Sequence, residues 1–227
     1  MNLPGRVMAH RGYFNKESRN AYRENSKELC RVASNKDYVE AIELDVRKSQ
    51  DGILYCYHGT LLQFFLLLKI PRDFAYIRRR YHADRLSEVL EAIPGDMVIS
   101  LDLQDASITR ADILDVVGGK RFKEVILAAP SVSFLDRFHD MPGQFVKFMV
   151  RNPFAPSYDP KKLKDRGYKY YEVMFPFQAT GKVAERAARA GLGFSLQAMF
   201  FLSEQNYWRK VRDFGVVWIA SDVIDAA

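Results

Sequence analysis

The chain has 227 residues, 48% of them hydrophobic and 27% charged, and a net charge of +6. That composition supports a sizeable core and excludes a disordered chain. The two cysteines, Cys30 and Cys56, have no CxxC or His-rich spacing, which excludes a disulfide framework or a zinc module.

The opening residues, MNLPGRVMAHRG, show no basic segment followed by an apolar one, so a cytoplasmic location is expected. Arg6 to Ala9 reads as a short strand ending at His10-Arg11-Gly12. A polar loop and a helix over 24–34 follow. Residues 41–47 are a strand, the Asp51-Gly52 turn predicts a hairpin, and Ile53 to Tyr57 returns to His58-Gly59. Residues 61–70 are almost wholly apolar but far short of the ~20 residues that span a bilayer. They read as a cover at a site mouth, or as an apolar lip that gives peripheral membrane contact, with Arg78 to Arg80 near anionic headgroups. Helices over 85–93, 109–117, 133–141, 160–166, 180–190 and 204–214 then alternate with strands over 97–103, 124–128, 144–150, 170–175, 193–199 and 216–221.

With the hairpin's return arm set aside, eight strands remain, mostly separated by helices. This α/β pattern predicts a single domain, 1–227, folded as a (β/α)8 TIM barrel with a β-hairpin after strand 2. An open doubly wound sheet is the alternative. Polar residues gather near strand C-termini, at His10, Asp45, Asp102, Arg151, Gln197 and Asp222, where barrels build their sites.

Residues two apart on a strand share a side and lie roughly 7 Å apart. Glu43 and Asp45 therefore project together, and Asp102 sits between leucines on another strand. Three carboxylates on one rim suit a hard divalent cation, Mg2+ or Ca2+. His10 and His58 could divide general-acid and general-base work, and Arg11 offers a planar fork to a phosphate oxygen. Taken singly, each acid is equally well read as a rim salt bridge, and each histidine as a strand cap or turn residue.

These residues resemble the glycerophosphodiester phosphodiesterase family, which reads HRG, ENT, ExD, a DG turn and HD. The matching residues are His10-Arg11-Gly12, Glu24-Asn25-Ser26, Glu43-Leu44-Asp45, Asp51-Gly52 and His58, and GVVWIASD resembles the family's closing strand. The resemblance implies a metal-dependent phosphodiester hydrolase acting on glycerophosphodiesters or lysophospholipids. Glu43, Asp45 and Asp102 would hold the cation, His10 and His58 would be the catalytic pair, and Arg11 a phosphate ligand.

The chain also departs from the pattern. Eleven residues separate Gly12 from Glu24, and Arg23 stands in a proline's place, which weakens the carry-over at Asn25. Gly59 replaces an aspartate, and Asp102 and Gln104 stand for a glutamate and a lysine. His-Gly with an aspartate as third acid is similar to sphingomyelinase D-type phospholipases. With the lysine missing, Lys147 is the expected replacement cation for substrate phosphate. A pocket that binds a phosphate or phospholipid without turnover is the alternative of a different class. No nucleic-acid partner is expected, since positive charge is its only support.

Overall fold

The computed structural model describes residues 5–59, 72–129, 131–151, 159–173, 179–198 and 211–221. In chain order its elements are β1 (Arg6–Ala9), α1 (Lys16–Ala21), α2 (Lys27–Ser34), β2 (Val39–Lys48), β3 (Leu54–Cys56), α3 (Phe74–Tyr81), β4 (Asp84–Arg85), α4 (Leu86–Glu91), β5 (Val98–Leu103), α5 (Arg110–Val117), β6 (Glu124–Ala129), α6 (Val132–Leu135), β7 (Phe145–Arg151), α7 (Pro160–Asp165), β8 (Tyr168–Val173), α8 (Gly181–Arg189), β9 (Gly193–Ala198) and β10 (Val216–Ser221). Parallel strands follow one another as β1-β10-β9-β8-β7-β6-β5-β2, and β1 pairs again with β2, which closes an eight-stranded barrel. The expected (β/α)8 barrel is therefore present. β2 runs on past the rim and pairs antiparallel with β3, which pairs in turn with β4. This is the expected hairpin. Gly52, at φ +83°, makes its turn, and Ser49 Oγ ties that turn to Asp51 at 2.6 Å.

The period of two sorts the barrel into two apolar layers. Val7, Ile42, Leu44, Ile99, Leu101, Val125, Leu127, Phe194, Leu196 and Ile219 face the helices. Met8, Ala41, Val98, Ile126, Ala128, Tyr170, Trp218 and Ala220 fill the interior. Beyond Ala41, Val98 and Tyr170 the same inward side of β2, β5 and β8 becomes polar, at Glu43, Ser100 and Glu172, and this is where the site begins.

Four local differences separate the structure from the sequence reading. The loop after Gly12 contains α1, because Asn15 and Ser18 cap each other reciprocally at its start. The next helix starts at Lys27 rather than near 24, because Ser26 is its N-cap and Asn25 sits at φ +57°. α3 was unassigned from sequence, although Phe74 and Ile77 give it a buried stripe. The expected helix over 133–141 is only the short α6 followed by a 3-10 turn at Asp136–Phe138. Residues 61–70, most of the helix expected at 204–214, and Asp222 lie outside the described residues.

Candidate active site

β2 and β5 are in register, with Asp45 beside Asp102 and Glu43 beside Ser100. Because the strands pair this way, the inward carboxylates of Glu43, Asp45 and Asp102 converge, each offering an oxygen within 4.8 Å of the others. Such a cluster is costly unless something positive sits near it. Burial, followed by the charges of Asp45 and Asp102, pushes the Glu43 carboxyl well above the usual range. Burial and then Asp45 push Asp102 up to about 7.

Arg11 answers part of this charge. It occupies the left-handed region at φ +55°, which turns its backbone N–H onto Glu43 Oε2 at 2.7 Å. Its guanidinium lies 3.3 Å from Asp45 Oδ2 and donates to Glu24 Oε2 at 3.1 Å. Burial alone would make that guanidinium easier to deprotonate, but Asp45, Glu24 and Glu43 outweigh it and raise its pKa. Arg11 is therefore first a clamp on carboxylates.

Asn25 meets the remaining needs of Asp45. It is fully buried, donates from Nδ2 to Asp45 Oδ2 at 2.9 Å, and accepts the Asp45 backbone N–H at 2.9 Å. Its own N–H donates to the Arg11 carbonyl at 2.8 Å. Despite the eleven residues between Gly12 and Glu24, part of which form α1, Asn25 lies against Asp45.

His10 follows β1 in a one-turn 3-10 segment and is buried. Its Nε2 lies 2.8 Å from the Gln197 amide nitrogen and 4.0 Å from Glu43 Oε2. An amide N–H donates here, so Nε2 carries the lone pair in this tautomer. His58 stands at the end of the hairpin, with Nδ1 2.7 Å from the Gly59 carbonyl. A carbonyl only accepts, so Nδ1 is the donor and Nε2 carries the lone pair in this tautomer. Gly59 adopts φ +75°, and a side chain there would meet the Tyr57 ring at 2.5 Å. The Gly59 N–H donates to Glu24 Oε1 at 2.9 Å. One carboxylate, Glu24, therefore ties the Arg11 loop to the His58 loop.

Lys147 is a correction. It pairs in register with Leu127, which faces the helices, and so points out of the barrel. Its Nζ reaches the Arg166 carbonyl at 2.5 Å, Asp136 Oδ1 at 3.5 Å and the Tyr168 ring at 4.6 Å. It cannot serve a phosphate at the rim from there.

Two polar residues inside the barrel went unassigned from sequence. Glu172 on β8 is buried and inward, and burial, followed by the charge of Asp102, pushes its carboxyl up to about 8. Gln104 follows β5, and its amide donates to Asp102 Oδ2 at 2.5 Å and Asp45 Oδ1 at 3.2 Å. The signal for Gln104 was its parity with Asp102, two residues before it; for Glu172 the sequence of β8 carries none.

No protein-family model matches the chain, and no curated protein matches it in sequence. Solved structures do match. A glycerophosphodiester phosphodiesterase from Thermotoga maritima superposes with a TM-score of 0.72 at 18% identity, over 96% of this chain and 94% of that one. The fold is that of glycerophosphodiester phosphodiesterases. A second such enzyme, from Agrobacterium tumefaciens, gives 0.64 at 19% identity, over 96% of each chain. An Oleispira antarctica phosphodiesterase, solved with its product sn-glycerol-3-phosphate, gives 0.74 at 18%, over 97% of this chain and 93% of that one.

Proposed function

We propose that this barrel is a cation-assisted phosphodiesterase acting on glycerophosphodiesters. The observation that carries the reading is the convergence of Glu43, Asp45 and Asp102 within 4.8 Å, beside His10 and Arg11. Asp102 Oδ1 is buried with no hydrogen-bond partner, and such an oxygen fits a cation ligand. The donor set is all carboxylate, which suits a hard cation, Mg2+ or Ca2+. When bound, that cation would offset the charge growing on the phosphoryl oxygens.

The chain's own groups supply the rest. Arg11, clamped between Asp45 and Glu24, directs its remaining donors at a non-bridging phosphate oxygen. One histidine accepts a proton at Nε2 from the nucleophile, either water or the substrate's neighbouring hydroxyl. The other protonates the alcohol oxygen as its bond to phosphorus breaks. Gln197 orients His10, and Gly59 orients His58. The product held by the Oleispira antarctica relative supports a glycerol-containing diester as the substrate class.

A lysophospholipid is the extension of this reading to lipid. On that reading residues 61–70 meet the lipid chain at a membrane surface, and α3, which follows them in sequence, exposes Arg79, Arg80 and Tyr76. No helix among the described residues is long and apolar enough to cross a membrane.

The test is a panel of glycerophosphodiesters, lysophospholipids and bis-p-nitrophenyl phosphate, run with EDTA and then with Mg2+ or Ca2+. Turnover that EDTA abolishes and one of the cations restores is the expected result. Phosphodiester binding without turnover under every condition would replace this reading with a non-catalytic barrel.

A further inference from the structure

We propose that Gln104 is a fourth protein ligand, giving its amide oxygen to the cation that Glu43, Asp45 and Asp102 would hold. The proposal rests on the cation-assisted reading above. Gln104 lies two residues beyond Asp102, so both side chains leave β5 on the inward side. Its backbone is pinned at the end of the ladder, where its N–H donates to the Val46 carbonyl at 2.9 Å. The side-chain nitrogen lies 2.5 Å from Asp102 Oδ2 and 3.2 Å from Asp45 Oδ1. The end of the amide thus sits where two of the three carboxylates face each other.

Without a cation, an NH2 group is the right occupant of that position, because two acceptors there need hydrogens. With a cation held by the same oxygens, those hydrogens would point at positive charge. A half turn of the amide plane exchanges nitrogen for oxygen and leaves every other torsion unchanged. The oxygen then faces the cation as a neutral ligand. Hard cations of this class take about six to eight oxygens, so three carboxylates leave room for it. A neutral ligand also adds coordination without adding a further negative charge to three carboxylates that already lie within 4.8 Å of one another. The opposite role makes the opposite prediction: if Gln104 merely fills the position, it competes with the cation, and its removal tightens binding.

Terbium binding to the full chain decides between them. Affinity comes from luminescence titration, and the number of bound waters from lifetimes in H2O and D2O. Gln104→Ala should weaken Tb3+ binding about tenfold or more and add about one bound water. Gln104→Glu, which keeps an oxygen in place, should bind at least as tightly as the native chain with the water number unchanged. Native-like or tighter binding by Gln104→Ala, or an unchanged water number, overturns the ligand role while the carboxylate site stands. Binding that survives Asp102→Asn, or a native chain that binds no Tb3+, overturns the carboxylate site and the ligand role together.

Discussion

The two sides of the barrel treat polar atoms differently. On the β1, β2 and β5 side, each acid of the cluster is met by Arg11, Asn25 or Gln104, and Glu24 holds the loops that carry Arg11 and His58. On the opposite side, the described inward residues of β6 to β8 are mostly apolar: Ile126, Ala128, Val146 and Tyr170. Glu124 and Glu172 are the exceptions: Tyr170 Oη donates to Glu124 at 2.7 Å, and the charge acting on Glu172 is a like one, Asp102. The first side has the chemistry of a site that binds and polarises. The second has small and apolar residues that shape a space. The reaction is therefore expected to depend steeply on single residues of the first side and weakly on those of the second.

The steepest expected loss is at the histidines. His10→Ala and His58→Ala should each lower turnover at least ~100-fold, the usual lower scale of acid/base loss, with the fold intact by circular dichroism. Because Gln197 and the Gly59 backbone hold the two rings independently, neither substitution should unseat the other. Near-native turnover in either variant would remove that residue from the mechanism.

The same contrast explains what could be read from sequence. Glu43, Asp45 and Asp102 stood out because each is a carboxylate between apolar neighbours, and a strand's period of two then says which way it points. The barrel was legible from the alternation of strands with capped helices. Asn25 was harder, since its position depends on residues 13–23 folding away as α1, held by a cap between Asn15 and Ser18. Strands apolar on both faces hide their parity. FVKFMVR and YKYYEV give no sign of which alternate residues face inward, so Lys147 was misplaced and Glu172 overlooked. Only the barrel's register, with Lys147 beside Leu127 and Glu172 beside Ser195, resolves it.

Glu172 yields a smaller, pH-dependent effect. Its folded pKa, near 8, lies above its ordinary value, so the folded state keeps a proton that the unfolded state has lost. Native stability should therefore fall as pH rises from the ordinary carboxylate range towards 8. Glu172→Gln mimics the neutral acid and removes this dependence. The stability gap between variant and native chain, measured by urea unfolding in EDTA, should widen between pH 5 and pH 8. It should grow by at most about 1.4 kcal/mol per pH unit. A gap that stays constant would mean that Glu172 is ionised in the folded chain, paired with a cation or a donor.

The smallest effect is expected at Lys147, and it separates the two sides most cleanly. Its ammonium lies between Asp136 and the Arg166 carbonyl, over the Tyr168 ring, on the helix-facing side of β7. Lys147→Met keeps most of the stem that packs there and removes the charge. Arg166 still pairs with Asp136 at 2.9 Å, so the carboxylate keeps a partner. The loss should be within about 1 kcal/mol of stability, the scale of a partly exposed ion pair. KM and kcat for a glycerophosphodiester should stay within about twofold of native, because nothing that touches phosphate has moved. A rise in KM of about tenfold or more with stability unchanged would place Lys147 at the substrate after all. The inward register of β7 would then have to be wrong by one residue, since a one-residue slip is what exchanges the two faces of a strand.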